Sequence, residues 1–156
     1  MTIRIQYDTR EKPHAITNIM NYFNKNNIET VRVKLDVGDY MTDPPGRISI
    51  DRKQNLIEVV GNVCQQHKRF SAECLRAMES GVQLIFLVEH GGQIKSLEDV
   101  KEWKNPRLEV SPYAVSGKRL YQIMKTYEVK YGVRWEFCDK RSTGRRIVEL
   151  LMMEGD

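Results

Sequence analysis

Asp39 follows a glycine at the end of one apolar run, and Asp51-Arg52-Lys53 closes a second run beyond a Pro-Pro-Gly turn, in the stretch VGDYMTDPPGRISIDRKQNL over residues 37–56. In an extended chain successive side chains point to opposite faces, so Ile48 and Ile50 face one way while Ser49, Asp51 and Lys53 face the other. A hairpin through Asp43-Pro44-Pro45-Gly46 returns Asp39 to the side of Asp51. Asp8 ends an earlier apolar alternation, with Glu11 a turn further on. Four carboxylates and a lysine therefore converge on one rim of a sheet, where open α/β folds build their sites. Carboxylates gathered in this way raise each other's pKa until a cation neutralises them, and oxygen-only donors suit a hard divalent ion, Mg²⁺ or Mn²⁺. Such an ion polarises a phosphoryl oxygen and lowers the pKa of bound water, while Lys53 orients the attacking water or offsets charge developing on the phosphate. The chemistry that needs this set is hydrolysis of a phosphodiester. Taken singly the pieces are ordinary, since Asp-Pro-Pro-Gly is turn chemistry and charges on the outer face of a strand need no function.

The elements that must position these residues are legible as alternating periods. Ile3, Ile5 and Tyr7 alternate with Arg4 and Gln6, the mark of a half-buried strand ending at Asp8. Pro13 opens a helix with Ile16, Ile19, Met20 and Phe23 at helical spacing. Val31, Val33, Leu35 and Val37 predict a second strand running to Gly38-Asp39, and Ile48 and Ile50 a third that continues into Asp51, Arg52 and Lys53. A helix from about Asn55 and another from about His67 to Ser80, with Phe70, Cys74, Leu75 and Met78 inward, lead to VQLIFLV, a continuous apolar run expected as a central strand buried on both faces. Beyond it lie a loop-rich, basic stretch from Gly91 to Pro112 expected to be mobile, a helix with Leu120, Ile123, Met124 and Tyr127 inward, the strand VRWEF, and a last helix around IVELLMM. Helices interleaved with strands define an α/β layered domain, and no repeat, low-complexity tract or linker divides it.

The 156 residues, 40% of them hydrophobic, fit one compact domain, and a net charge of +4 with pI near 9.0 suits a polyanionic partner without demanding one. Cys64, Cys74 and Cys138 are odd in number, lack C-x-x-C spacing and sit in apolar patterns, so they are expected as buried reduced thiols of an intracellular, cytoplasmic protein. They form no paired-ligand spacing with His14, His67 or His90, which argues against zinc. The start MTIRIQYD has no apolar signal segment and LIFLV is far too short to cross a bilayer, so neither export nor a membrane is expected.

In order, Asp8-Thr9-Arg10-Glu11, Gly38-Asp39-Tyr40, Asp51-Arg52-Lys53 and Arg69-Phe70 with Glu73 resemble the nuclease domain of XPF-type structure-specific endonucleases. The family's pattern is an acid-x-Arg-Glu, a Gly-Asp, a Glu-Arg-Lys followed by an acid, and an Arg-Phe leading to a polar residue on a helix. The resemblance implies a restriction-endonuclease-like fold, a central mixed sheet flanked by helices, as a single domain over residues 1–156. Its motif-bearing core covers about 3–90 and a helix-strand-helix completion about 113–153. It implies a stand-alone nuclease domain of a kind common in phage and bacterial genomes, cutting DNA with Mg²⁺ or Mn²⁺ at branched or flapped structures in repair or recombination. No small-molecule cofactor is implied, and pairing of two copies is compatible with it. Asp39 and Asp51 become the principal metal ligands, Asp8 and Glu11 complete or support the metal site, Lys53 assists the nucleophile and Arg52 organises the site. Two departures stand out: Asp51 replaces the usual Glu, and Ile57 occupies the place of the later acid, with Glu58 beside it. The alternative is a catalytically silent DNA-binding or subunit-pairing module of the same fold, since XPF-like heterodimers contain inactive nuclease-like partners.

Under that resemblance Arg10, Arg52 and Arg69 are candidates for phosphate contacts, against pairing with neighbouring acids. Lys118-Arg119 and Lys140-Arg141 with Arg145-Arg146 are candidates for the DNA path, against a solvated helix face. Ser142-Thr143-Gly144 at a helix start is a candidate phosphate cradle. Glu58 and Glu73 are expected to support the metal site. Trp103 is a candidate for stacking on bases, and Trp135, within a strand pattern, for the core.

Overall fold

The computed structural model of the chain describes residues 2–153. Six strands form one mixed sheet in the order β2-β1-β3-β4-β5-β6, namely β1 Arg4–Asp8, β2 Glu29–Val33, β3 Tyr40–Thr42, β4 Ile48–Lys53, β5 Gln83–Glu89 and β6 Arg134–Cys138. Only β3 runs against its neighbours, so the other five strands share a direction and end on one edge. Asp8, Lys53, Glu89 and Cys138 are the last residues of β1, β4, β5 and β6 along that edge.

The strand VQLIFLV is buried on both faces, as its unbroken apolar run implies. Ile85 and Leu87 join a core under α1 (Thr17–Lys25) and α5 (Thr143–Leu151), whereas Leu84, Phe86 and Val88 join a second core under α2 (Leu56–Val60), α3 (His67–Glu79) and α4 (Gly117–Tyr131). Each such side chain contributes roughly 1.5–3 kcal/mol by leaving water, so these two layers fix the sheet's position between the helices. Trp135 belongs to the second core, stacked on Phe86 with ring centroids 4.6 Å apart and donating Nε1–H to Met124 O.

Several expectations change. β2 stops at Val33 rather than continuing to Asp39, because it pairs only with β1, whose last partnered residue is Asp8. Past that point the chain bends beneath Asp8, which accepts the Leu35 N–H at 2.7 Å, and Leu35 and Val37 stay buried outside the ladder. β1 is interior rather than half-buried, so Gln6 and Asp8 are buried on its other face. On α3 the inward stripe is Phe70, Cys74 and Ala77, while Leu75 (41% exposed) and Met78 (46%) face outward, each about 100° round the helix from a buried neighbour. Cys64 is exposed in a π-turn over Gly61–Gln65, and Cys138 is only partly covered. The stretch from Gly91 to Pro112 carries 3₁₀ turns at Leu97–Glu102 and Pro106–Glu109 and buries Val100; it abuts α4 so closely that a Cβ on Gly117 would meet Trp103 O. Among the described residues no helix is long and apolar enough to cross a membrane.

Candidate active site

β3 and β4 bring Asp39 to Asp51 through the hairpin the sequence implies. Asp39 N–H donates to Ile50 O at 2.7 Å, and Arg52 N–H donates to Asp39 Oδ2 at 2.8 Å, so the aspartate's main chain and carboxylate are both held by β4. Gly38 makes this approach possible. Its φ is +73° and a Cβ there would lie 2.1 Å from Ser49 Oγ, a hydroxyl that itself donates to Val37 O. A bulkier residue would push Asp39 away from the strand that carries Asp51.

Asp39, Asp51 and Lys53 line an open cavity of about 450 Å³ at the carboxyl edge of the sheet. Lys53 Nζ lies 3.3 Å from Asp51 Oδ1 and 3.9 Å from Glu58 Oε2, above the rings of Phe70 and Phe86. Burial works against its charge, yet Asp51 and the acids around it hold the ammonium above the usual lysine range. Burial pushes Asp51 up to about 7, partly countered by Lys53 and reinforced by Glu73, which stands in hydrogen-bonding reach. Asp39 is likewise raised well above the ordinary carboxylate range by burial and by the charges of Asp51 and Glu11. Glu73, on α3, also accepts the Gly38 N–H at 3.3 Å.

Asp8 and Glu11 have other partners. The Asp8 carboxylate accepts N–H groups from Arg10 and Leu35 and the Arg10 guanidinium. Burial alone would raise it, but these donors keep it below its ordinary value. Glu11 is bonded through both oxygens to Arg52, at 2.8 and 3.0 Å, and accepts Tyr40 O–H at 2.6 Å. Arg52 is buried, with Nη1 on Glu89 Oε1 at 2.8 Å, which excludes it from bidentate phosphate contact. Its charge is held more firmly than usual in spite of burial, because Glu11 and Glu89 bond to it, and the Tyr40 hydroxyl is pushed far up by burial and by Glu11. Glu58 caps α2: its N–H donates to Asn55 Oδ1 and its Oε1 accepts the Gln54 N–H, a reciprocal helix start. Ile57 points partly to solvent, 37% exposed.

Among the described residues no three His, Cys, Asp or Glu side chains form a ready-made metal cage. What is gathered is a pair, Asp39 and Asp51, with Glu73 beside it. Hard oxygen donors pushed up by burial and mutual repulsion fit a hard divalent cation, which would relieve both.

The rim is cationic. Arg10 and Arg69 stand on it as the sequence suggests, joined by Lys12 and Arg76 and by the amides Gln54, Asn62 and Gln66. Arg69, Glu73 and Arg76 recur at i, i+4 and i+7 on α3, so helical spacing alone places Arg76 beside the two residues singled out from sequence. Among the described residues Asn62 Oδ1, buried on this wall, has no hydrogen-bond partner. The other basic candidates lie apart from this cavity. Lys118 and Arg119 are exposed at the start of α4, Lys140, Arg141 and Arg145 are exposed near the start of α5, and Arg146 is tied to Glu136 and Glu149 at 2.8 and 3.2 Å. The phosphate cradle at 142–144 is filled by the protein itself, since Gly144 packs on Tyr22 and Thr143 is buried against Glu89. Trp103 packs edge-on to His90 beside the second core.

The ERCC4 domain matches residues 7–150 of the chain. XPF from Aeropyrum pernix is similar in structure, with a TM-score of 0.68 at 20% identity, covering 96% of this chain and 64% of that one. A second structure of the same protein, in complex with DNA, superposes with a TM-score of 0.67 at 17% identity over 97% of this chain and 64% of that one. The chain thus spans 64% of the length of these relatives, and the likeness gives the nuclease-domain fold expected from the motifs. No curated protein matches the chain.

Proposed function

Since this chain belongs to the ERCC4 domain family, matched over most of its length, we propose that it is a divalent-metal-dependent endonuclease hydrolysing DNA phosphodiester bonds at branched or flapped structures in repair or recombination. The observation that carries the reading is the buried pair Asp39 and Asp51 beside Lys53, at the floor of an arginine-rimmed cavity. Mg²⁺ or Mn²⁺, when bound, supplies Lewis-acid polarisation of a phosphoryl oxygen and a lowered pKa for water. Asp39 and Asp51 would hold it, with Glu73 behind Asp51. Lys53, fixed between Asp51 and two ring faces, keeps a positive charge where negative charge grows on the phosphate and directs its N–H bonds at the attacking water. Arg10, Arg69 and Arg76 on the rim grip phosphates on either side of the scissile one. The DNA complex of the Aeropyrum pernix relative supports DNA as the partner; pairing of two copies belongs to the same proposal and is read by light scattering.

The test is incubation of forked, flapped and linear duplexes with the protein in Mg²⁺, Mn²⁺ or chelator. Cleavage only with metal, faster on forks and flaps, is expected; intact DNA of every kind in Mn²⁺ overturns the reading. A catalytically silent DNA-binding or subunit-pairing module is the second reading, favoured by the engagement of Asp8 and Glu11 in other bonds. It predicts binding to the same DNA without cleavage.

A further inference from the structure

Arg52 donates through every nitrogen of its guanidinium, and its own main-chain N–H holds Asp39 Oδ2 at 2.8 Å. The chain of bonds behind it leads away from the site into the last helix. Arg52 Nη1 donates to Glu89 Oε1 at 2.8 Å, and Glu89 Oε2 accepts the Thr143 hydroxyl at 2.6 Å. Thr143 Oγ1 in turn lies 3.6 Å from Cys138 Sγ and 3.2 Å from Lys140 O. Thr143 is fully buried and Glu89 nearly so. We infer that Thr143 and Glu89 are positioning residues for the metal-holding aspartates, acting through Arg52: the first turn of α5 fixes the Arg52 side chain, which leaves β4 on the face opposite its sequence neighbours Asp51 and Lys53. This inference rests on the reading of Asp39 and Asp51 as metal ligands.

The physical case is one of satisfied bonds. A buried guanidinium placed between two carboxylates has its orientation fixed only while each acceptor is itself held. Glu11 is held by Tyr40 O–H at 2.6 Å, and Glu89 by Thr143 O–H, so the two carboxylates are matched by one hydroxyl each. Removing the threonine hydroxyl leaves Glu89 Oε2 without that donor in a place water does not reach. The carboxylate then turns, and Arg52 shifts with it. Because Arg52 N–H is the bond that aims Asp39, the displacement reaches the ligand without any change in charge.

Thr143→Val, nearly the same shape and uncharged, is the decisive variant. Isothermal titration of Mn²⁺ into the wild-type protein and the variant, well below both melting temperatures, reads ligand geometry apart from turnover. Affinity is expected to fall about 10-fold, the low end of the 10–100-fold range for residues behind metal ligands, and cleavage to fall with it. Thr143→Ser, which restores the hydroxyl, recovers most of both. A variant that melts earlier but binds Mn²⁺ as wild type would assign Thr143 to stability alone and overturn the inference. Wild-type protein that takes up no Mn²⁺ overturns the metal-ligand reading and the inference together, whereas wild type that binds and a Thr143→Val that binds equally well overturns the inference only.

Discussion

Asp39 and Asp51 present the same functional group from different settings, and each setting predicts what an amide there would remove. Asp39→Asn keeps an oxygen for the Arg52 N–H and loses the charge; Asp51→Asn loses the charge that faces Lys53 at 3.3 Å. Both variants, and Lys53→Ala, are expected to fold and to slow metal-dependent cleavage by at least ~100-fold, the scale on which a single electrostatic stabiliser acts. Circular dichroism separates loss of function from loss of fold, and an Asp51→Asn protein that cuts like wild type refutes its role. The raised acids also give a pH dependence. Asp51 near 7 in the folded chain, against 3.8 unperturbed, keeps between those values a proton that the unfolded chain has lost. Stability of the metal-free protein therefore falls as pH rises from about 4 to about 7 and stays low above it. Melting in chelator should be lower at about pH 8 than at about pH 5, and Mn²⁺ should raise it more at the higher pH, where both carboxylates are ionised. A melting temperature indifferent to pH in chelator contradicts this. Glu58→Gln is expected to leave Mn²⁺ affinity unchanged, since that carboxylate is engaged at the start of α2; a weakened titration assigns it to the metal site instead.

At the scale of elements, α3 contributes more than its inward face. Its outer stripe of Arg69, Glu73 and Arg76 borders the cavity, while Lys140 and Arg141 stand beyond it near the start of α5. Arg69→Glu with Arg76→Glu is therefore expected to weaken DNA binding in Ca²⁺ more than Lys140→Glu with Arg141→Glu, by fluorescence anisotropy; the reverse order relocates the DNA path. Asn55→Ala removes the cap of α2 and should cost about 1 kcal/mol in denaturant unfolding. β4 and β5 were legible in sequence because an alternation ending in Asp-Arg-Lys and an unbroken apolar run each point to one kind of burial. The end of β2 was not, since it depends on where its single partner stops. Leu75 and Met78 misled because apolar residues adjacent to the buried stripe of α3 look the same in sequence as those within it. The acids Asp8 and Glu11 were placed near the site by motif order, but nothing local announces that Arg10 and Arg52 engage them.

For the molecule as a whole, the proposed site lies on one edge of the sheet, and on that proposal its positive rim governs association with a polyanion. Affinity for forked DNA in Ca²⁺ should fall steeply with salt and exceed that for linear duplex; absence of binding to either at about 50 mM salt, where phosphate contacts are strong, excludes a nucleic-acid partner. The fold class was legible from the interleaving of helices and strands, whereas the bond from Thr143 to Glu89, 54 residues apart, was not, because no periodicity encodes a meeting between distant elements. That meeting bears on the order in which the protein is made. α5 closes the core over Ile19 and Phe23, with Gly144 seated on Tyr22, so a nascent chain carries a partly uncovered apolar sheet face until α5 has been made. The loop to be closed is nearly the full length of the chain, which makes this a late and costly contact in entropy. A chain halted after Asp139 should bind a hydrophobic dye and melt without cooperativity; sharp melting of that fragment shows that α1 is covered before α5 arrives. During synthesis the site thus matures only once α5 has docked, and the exposure of that sheet face to aggregation ends with the same helix that sets Arg52.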